Sequence, residues 1–132
     1  MLRKIFFDFD GTLIDSSQRM YDLFSKLVVK NHLDYDEYWK IKRRGIVQKE
    51  VLEKYFKYTP SEILYFKENW ISQIENSEFL KSDMPFENSS YILNELSKNN
   101  ELYLVTARQC KEGVINQLQK FNLFSYFKNI LV

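Results

Sequence analysis

The stretch Ile5-Phe6-Phe7-Asp8-Phe9-Asp10-Gly11-Thr12 decides the fold that this sequence predicts. Residues 4–9 are a short stretch rich in apolar and aromatic residues, and Gly11 follows two residues after it. Such a run before a glycine is typical of a buried strand that ends in a tight turn. We therefore predict that residues 4–9 form a central strand of a parallel sheet.

The C-terminal part of the chain alternates between helix and strand patterns. Residues 102–105 are a continuous apolar run of strand length, and residues 129–132, Asn-Ile-Leu-Val, also have a strand-like pattern. Helical spacing of apolar residues precedes the first run, near Leu93, and separates the two, from about Gln109 to Phe121. Strand, helix, strand in this order predicts a Rossmann-like α/β fold, in which helices flank a parallel sheet.

Between these parts, residues 16–80 have only helical patterns. Helices are expected from Ser16 onward and around residues 36–43, 47–57 and 60–76. The sequence Thr59-Pro60-Ser61-Glu62 is a capping box with proline at the first helical position. We expect a core domain of residues 1–15 and 81–132 and an inserted all-helical domain of residues 16–80.

Composition excludes several classes of protein. The 19 Lys and Arg residues balance 18 Asp and Glu residues, so the net charge of +1 gives no reason to expect nucleic acid. One cysteine, Cys110, and one histidine, His32, can form neither an intramolecular disulfide nor a Cys/His zinc site. No apolar run has the length of a signal peptide or of a spanning helix. We expect no membrane association, and a cytoplasmic location by default.

The carboxylates of Asp8 and Asp10 carry the predicted chemistry. Residues two apart on an extended chain share a face, and ligand sites in parallel sheets lie at the carboxyl ends of the strands. Gly11 would let the turn expose N–H groups to an anion, and Thr12 adds a hydroxyl. Two carboxylates beside an anion favour Mg²⁺, which prefers oxygen ligands. For an isolated Asp-x-Asp the simpler alternative is two residues that shape a turn.

The stretch from Ile5 to Ser16 closely resembles the first signature motif of the haloacid dehalogenase-like (HAD) superfamily, an apolar strand followed by Asp-x-Asp-Gly-Thr-Leu-x-Asp-Ser. The resemblance implies that Asp8 is a nucleophile that becomes an aspartyl phosphate, and that Asp10 is the general acid and base. Family members that cleave carbon–halogen or carbon–phosphorus bonds lack the second aspartate. Asp10 therefore indicates phosphoryl transfer, with Mg²⁺ held by Asp8 and Asp10.

A second family motif, a strand that ends in Thr or Ser, resembles Leu102-Tyr103-Leu104-Val105-Thr106-Ala107-Arg108. The resemblance implies that Thr106, with Ala107 after it, binds the phosphoryl group; a helix cap is the alternative for Thr106. Arg108 could reach a phosphate or form a surface salt bridge. The helical insertion looks like the cap of the phosphoglycolate phosphatase and β-phosphoglucomutase branch. There, Arg43 and Arg44 would contact the substrate, unless they are only a solvated face.

The family's third and fourth motifs, a lysine and one or two further aspartates, have no counterpart here. Beyond Thr106 the only acidic residue is Glu112. We expect a truncated, incomplete core that is weak or inactive alone and that self-associates through its apolar last strand.

The predicted function is hydrolysis of a small phosphorylated metabolite. The alternatives are a phosphomutase of the same family, a catalytically dead phosphate- or metal-binding remnant, and a response-regulator receiver. The helical insertion argues against the receiver.

Overall fold

A computed structural model describes residues 2–132. No helix of this part of the chain is long and apolar enough to cross a membrane. In chain order the elements are β1 (Arg3–Phe7), β2 (Ile14–Asp15), α1 (Ser17–Leu27), α2 (Tyr35–Lys42), α3 (Gln48–Phe56), α4 (Pro60–Gln73), α5 (Ser77–Leu80), β3 (Met84–Pro85), α6 (Ser89–Ser97), β4 (Asn100–Val105), α7 (Lys111–Lys120) and β5 (Phe127–Leu131), with a 3-10 turn at Phe124–Tyr126.

The three longer strands form a parallel sheet in the order β1, β4, β5. The prediction that the first strand is central is therefore wrong for the described residues, because β4 lies in the middle and β1 at an edge. The side chain of Phe6 on β1 is 58% exposed, whereas Leu102 and Leu104 on β4 are buried. A run of apolar residues shows that a strand is present, but it does not show how many neighbours the strand has.

Helices α6 and α7 connect the parallel strands, as the strand and helix pattern predicted. Leu93 on α6, Leu104 on β4 and Leu118 on α7 belong to one buried apolar cluster, together with Phe9 after β1. The fold class, a parallel sheet flanked by helices in a Rossmann-like α/β arrangement, is confirmed.

The chain forms two compact units, one made of residues up to Ser17 with Ser82–Val132, and one made of Gln18–Lys81. In the first unit, Ile14 pairs with Pro85 and Asp15 with Met84 in a short antiparallel ribbon of β2 and β3. The chain leaves this unit just after β2 and returns to it just before β3. The pairing of β2 with β3 therefore holds the outgoing and returning segments side by side.

The second unit is helical and has its own apolar core, centred on Phe24, Tyr38 and Phe66. The predicted capping box of α4 is confirmed: Thr59 Oγ1 accepts from the Glu62 N–H, and Glu62 Oε1 accepts from the Thr59 N–H. The backbone hydrogen bond from Thr59 lowers the pKa of Glu62, and the bond from its side chain adds to the shift. The short apolar and capping patterns therefore fold locally as the sequence indicates.

Candidate active site

The turn after β1 is closed by its own backbone. Gly11 has φ of 79°, a left-handed conformation that favours glycine. The Gly11 N–H donates to the Ile14 carbonyl at 2.8 Å, and the Thr12 N–H donates to the Phe9 carbonyl at 3.2 Å. Both of these N–H groups are therefore used inside the turn in this conformation, and anion binding by the turn stays a prediction. The Gly11 and Thr12 residues themselves are exposed.

The side chain of Asp8 lies at the carboxyl end of β1 and is exposed. One of its oxygens, Oδ1, accepts from the N–H of Phe9 at 2.8 Å. Phe9 is fully buried, so the backbone of Asp8 is anchored beside a core residue. A carboxylate in this position is accessible to a phosphorylated compound while its main chain is held.

Asp10 differs from Asp8 because its carboxylate is bound on both oxygens by Arg108. Arg108 Nε donates to Oδ2 of Asp10 at 2.9 Å, and Nη2 donates to Oδ1 at 2.7 Å. The Arg108 side chain is only 4% exposed, and that of Asp10 is 21% exposed. Arg108 therefore forms an ion pair, as one of the two predictions for it stated. The pair is not at the surface, because the guanidinium is buried.

Two residues that sequence reasoning missed complete this cluster. Asp83, fully buried, accepts from Arg108 Nη2 at 3.1 Å and from Gln117 Nε2 at 3.0 Å. Gln117 Oε1 accepts from Arg108 Nη1. Asp83 lies in a loop without any motif and could not have been found. Gln117 could have been noticed in the sequence, because it is a polar residue on the apolar face of α7, next to Leu118.

Thr106 follows β4 and is buried. Its N–H donates to the carbonyl of Leu131 on β5, and its Oγ1 accepts from the N–H of Arg108 at 3.2 Å. A hydroxyl has one donor and two acceptor positions, so Thr106 can still donate to a phosphoryl oxygen. Thr106 is not the cap of α7, since Cys110 is the capping residue there. Ala107, between Thr106 and Arg108, is exposed.

The predicted magnesium ligands are Asp8 and Asp10. Among residues 2–132, no three or more His, Cys, Asp or Glu side chains are grouped to hold a metal ion. Of the two predicted ligands, Asp8 is an exposed oxygen donor of the kind Mg²⁺ prefers, and each oxygen of Asp10 accepts one hydrogen bond from Arg108.

In the helical unit, Arg43 and Arg44 follow α2 and are exposed. The adjacent Lys42 differs, because it lines a cavity of about 240 Å³ with Tyr38, Gln48 and Trp70. Burial lowers the pKa of Lys42, and burial raises the pKa of Tyr38 to about 12. Lys42 is thus a second cationic candidate for ligand binding in this unit, beside the predicted arginine pair.

The carboxylates after β1 and the threonine after β4 lie at the carboxyl ends of neighbouring parallel strands, where ligand sites of such sheets are found. The chain belongs to the haloacid dehalogenase-like hydrolase family, whose model matches residues 5–132. None of the curated proteins compared with the sequence is significantly similar to it.

Solved structures of this family share the fold. A HAD-superfamily hydrolase of subfamily IA, variant 1, from Geobacter sulfurreducens has a TM-score of 0.67 at 18% identity, with 98% of this chain and 62% of that chain covered. A haloacid dehalogenase-like family hydrolase from Streptococcus pneumoniae has a TM-score of 0.65 at 20% identity, with 98% and 60% covered. A Bacillus subtilis protein whose structure contains magnesium has a TM-score of 0.53 at 19% identity, with 98% and 62% covered. The chain thus spans about three fifths of the length of these relatives.

Proposed function

We propose that this protein is a phosphatase that hydrolyses a small phosphorylated metabolite through a phosphorylated Asp8, with weak turnover by these 132 residues because the sequence has no counterpart of the family's lysine and further aspartates. The observation that carries the proposal is the contrast between two carboxylates in one turn: that of Asp8 is exposed, whereas that of Asp10 is held in a fixed orientation. A nucleophile must reach the substrate, whereas an acid and base must be placed beside the leaving group.

In the proposed reaction, a carboxylate oxygen of Asp8 attacks phosphorus. The bond from phosphorus to the leaving oxygen breaks, and that oxygen keeps the electron pair of the bond and takes a proton from Asp10, which enters this step protonated at a lone pair that Arg108 does not use. Asp10, now ionised, removes a proton from water as the water oxygen attacks the phosphorus of the acyl phosphate. The bond between phosphorus and the Asp8 oxygen breaks, and its electron pair returns to the carboxylate, which restores Asp8 and releases inorganic phosphate. The Thr106 hydroxyl donates to a phosphoryl oxygen in both steps.

Dependence on Mg²⁺ and a cytoplasmic location are part of the proposal. Asp8 supplies an exposed oxygen ligand, and Mg²⁺ in proteins often binds through one or two carboxylates plus phosphate and water. The single cysteine is consistent with a reducing compartment. The test for the metal is turnover measured with Mg²⁺ and again after chelation.

The proposed function is tested by trapping the intermediate. The full chain is mixed with an aryl phosphate and Mg²⁺, quenched in acid and analysed by intact-mass spectrometry. We expect one added phosphoryl group, located at Asp8 and removed by hydroxylamine, together with release of inorganic phosphate. Binding without labelling or release would instead support a phosphate-binding remnant, and transfer of the label to an added sugar phosphate would support a phosphomutase.

Replacing Asp10 with Asn should impair proton transfer to the leaving group. General acid and base catalysis contributes about 10²–10⁴-fold, and its loss matters most when the leaving group is poor. We expect a large loss of kcat on an alkyl phosphate and a small one on an activated aryl phosphate. Glu87→Gln, which removes an exposed acid of the same unit, is the control. Equal losses on both substrates would count against the acid role of Asp10.

The helical unit is proposed to contact the part of the substrate that does not react. If Arg43 and Arg44 bind that part, replacing both with Ala should raise KM for a large phosphorylated metabolite and spare hydrolysis of a small aryl phosphate, because only remote binding energy is lost. Lys42→Met provides the comparison, since Lys42 lines the cavity instead. An unchanged substrate profile in the double variant would show that the arginine pair is a solvated face.

A further inference from the structure

The Asp10 carboxylate is held in one plane by the guanidinium of Arg108. Two parallel hydrogen bonds, from Nε and Nη2, engage the two carboxylate oxygens at 2.9 and 2.7 Å. This fork geometry fixes the orientation of a carboxylate in a way that a lysine ammonium, which acts as a point charge, does not. Each oxygen keeps a second lone-pair position, so proton transfer at Asp10 remains possible.

Arg108 is itself held on three sides. Its Cζ lies 4.7 Å from the centre of the Phe9 ring. Asp83 accepts from Nη2, and Gln117 accepts from Nη1 while it donates to Asp83 at 3.0 Å. Asp83, Arg108 and Gln117 therefore form a closed ring of hydrogen bonds among buried side chains, and Asp10 is attached to that ring through Arg108.

The members of this ring come from separate parts of the chain. Asp10 follows β1, Arg108 follows β4, Gln117 lies on α7, and Asp83 lies where the chain has just re-entered the α/β unit. Asp83 precedes β3, whose pairing with β2 fastens the two connections to the helical insertion. The position of Asp83 thus links this connection to the carboxylate of Asp10.

We propose that Asp83, with Gln117, is a positioning residue that sets the orientation of the Asp10 carboxylate through Arg108. This inference rests on the proposed function for the role of Asp10, but the hydrogen-bond ring can be tested without turnover. A misplaced acid and base loses rate on substrates that need a proton at the leaving group, and positioning errors of about 1 Å can cost about 10²-fold.

The first experiment follows the Arg108 side chain by NMR in the full chain. The Nε–Hε resonance of a buried, bonded guanidinium exchanges slowly with water, and its assignment follows from its loss in Arg108→Lys. We expect Asp83→Asn and Gln117→Leu to speed this exchange at least about tenfold. Glu101→Gln is the matched control, because it removes an acid of the same unit whose partner is the exposed Lys128.

The second experiment is a double-mutant cycle on alkyl phosphate hydrolysis. We expect Asp83→Asn to lower kcat about tenfold or more, with little change in KM and a smaller effect on an activated aryl phosphate. In an Asp10→Asn background the same substitution should have almost no further effect, because Asp83 acts through Asp10. Arg108→Lys should also lower kcat, since lysine keeps the charge but cannot form the two parallel hydrogen bonds to Asp10.

Several results would overturn the proposal. One is an Arg108 resonance that does not respond to either Asp83→Asn or Gln117→Leu. Another is an equal rate loss from Asp83→Asn with and without Asp10, which would show a general structural effect. If the wild-type chain neither hydrolyses these phosphates nor becomes labelled at Asp8, the proposed function fails for these residues. The exchange of the Arg108 resonance then decides by itself whether Asp83 and Gln117 hold Arg108 in place.

Discussion

Replacing Asp8 with Asn is expected to abolish turnover of every phosphate ester, by at least about 10³-fold. An amide is not a nucleophile for phosphorus, so the covalent intermediate cannot form. Losing the nucleophile of a serine protease costs about 10⁶-fold, which shows how large such an effect can be. The measurement is steady-state release of inorganic phosphate, together with loss of the phosphoryl label on the protein.

The control for Asp8→Asn is Glu112→Gln, which removes an exposed acid on α7 and should leave the rate unchanged. Folding of the variant is checked by circular dichroism, since Asp8 is exposed and its replacement should not affect the core. Turnover by Asp8→Asn within tenfold of the wild-type chain would refute the assignment of Asp8 as the nucleophile.

Replacing Arg108 with Met is expected to destabilise the α/β unit by about 3–5 kcal/mol. Removing one partner of a buried ion pair leaves an uncompensated charge, and here Asp83 is fully buried. Met keeps most of the apolar stem of Arg108, so the loss reports the charge, its hydrogen bonds and the contact of the guanidinium with the Phe9 ring. The measurement is hydrogen exchange of β4 in increasing urea, which reports opening of the sheet.

Two comparisons make this stability test specific. Arg3→Met makes the same chemical change at an exposed position of β1 and should have little effect. Trp39 and Trp70 both belong to the helical unit, so their fluorescence reports that unit separately. Adding Asp83→Asn to Arg108→Met should recover part of the lost stability, because the orphaned charge is removed. Full stability of Arg108→Met alone would show that the ring carries no net structural role.

We predicted an α/β domain of residues 1–15 and 81–132 and a helical domain of residues 16–80. This division into domains stays a prediction. The structure shows two compact units, and the helical one runs from Gln18 to Lys81. Self-association through the last strand also stays a prediction. Its physical basis is an exposed apolar residue on β5, Leu131, which is 44% exposed.

Local sequence determined much of this protein. The apolar run before Asp8 specifies a strand that ends at the carboxylates, and the Thr59 and Glu62 pair specifies the start of α4, because both signals depend on residues a few positions apart. The alternation of strand and helix patterns was sufficient for the fold class. These features are short-range, so they can be read without knowing the tertiary structure.

Tertiary structure alone decided the state of Asp10 and the place of β1. The partner of Asp10 is Arg108, which is 98 residues away, and the support of Arg108 comes from Asp83, which no motif marks. An Asp-x-Asp pattern cannot show that one carboxylate is exposed while the other is hydrogen-bonded to an arginine. The burial of each side chain and its partners depend on segments that meet only on folding. For the same reason an apolar strand does not reveal whether it lies at the centre of a sheet or at its edge.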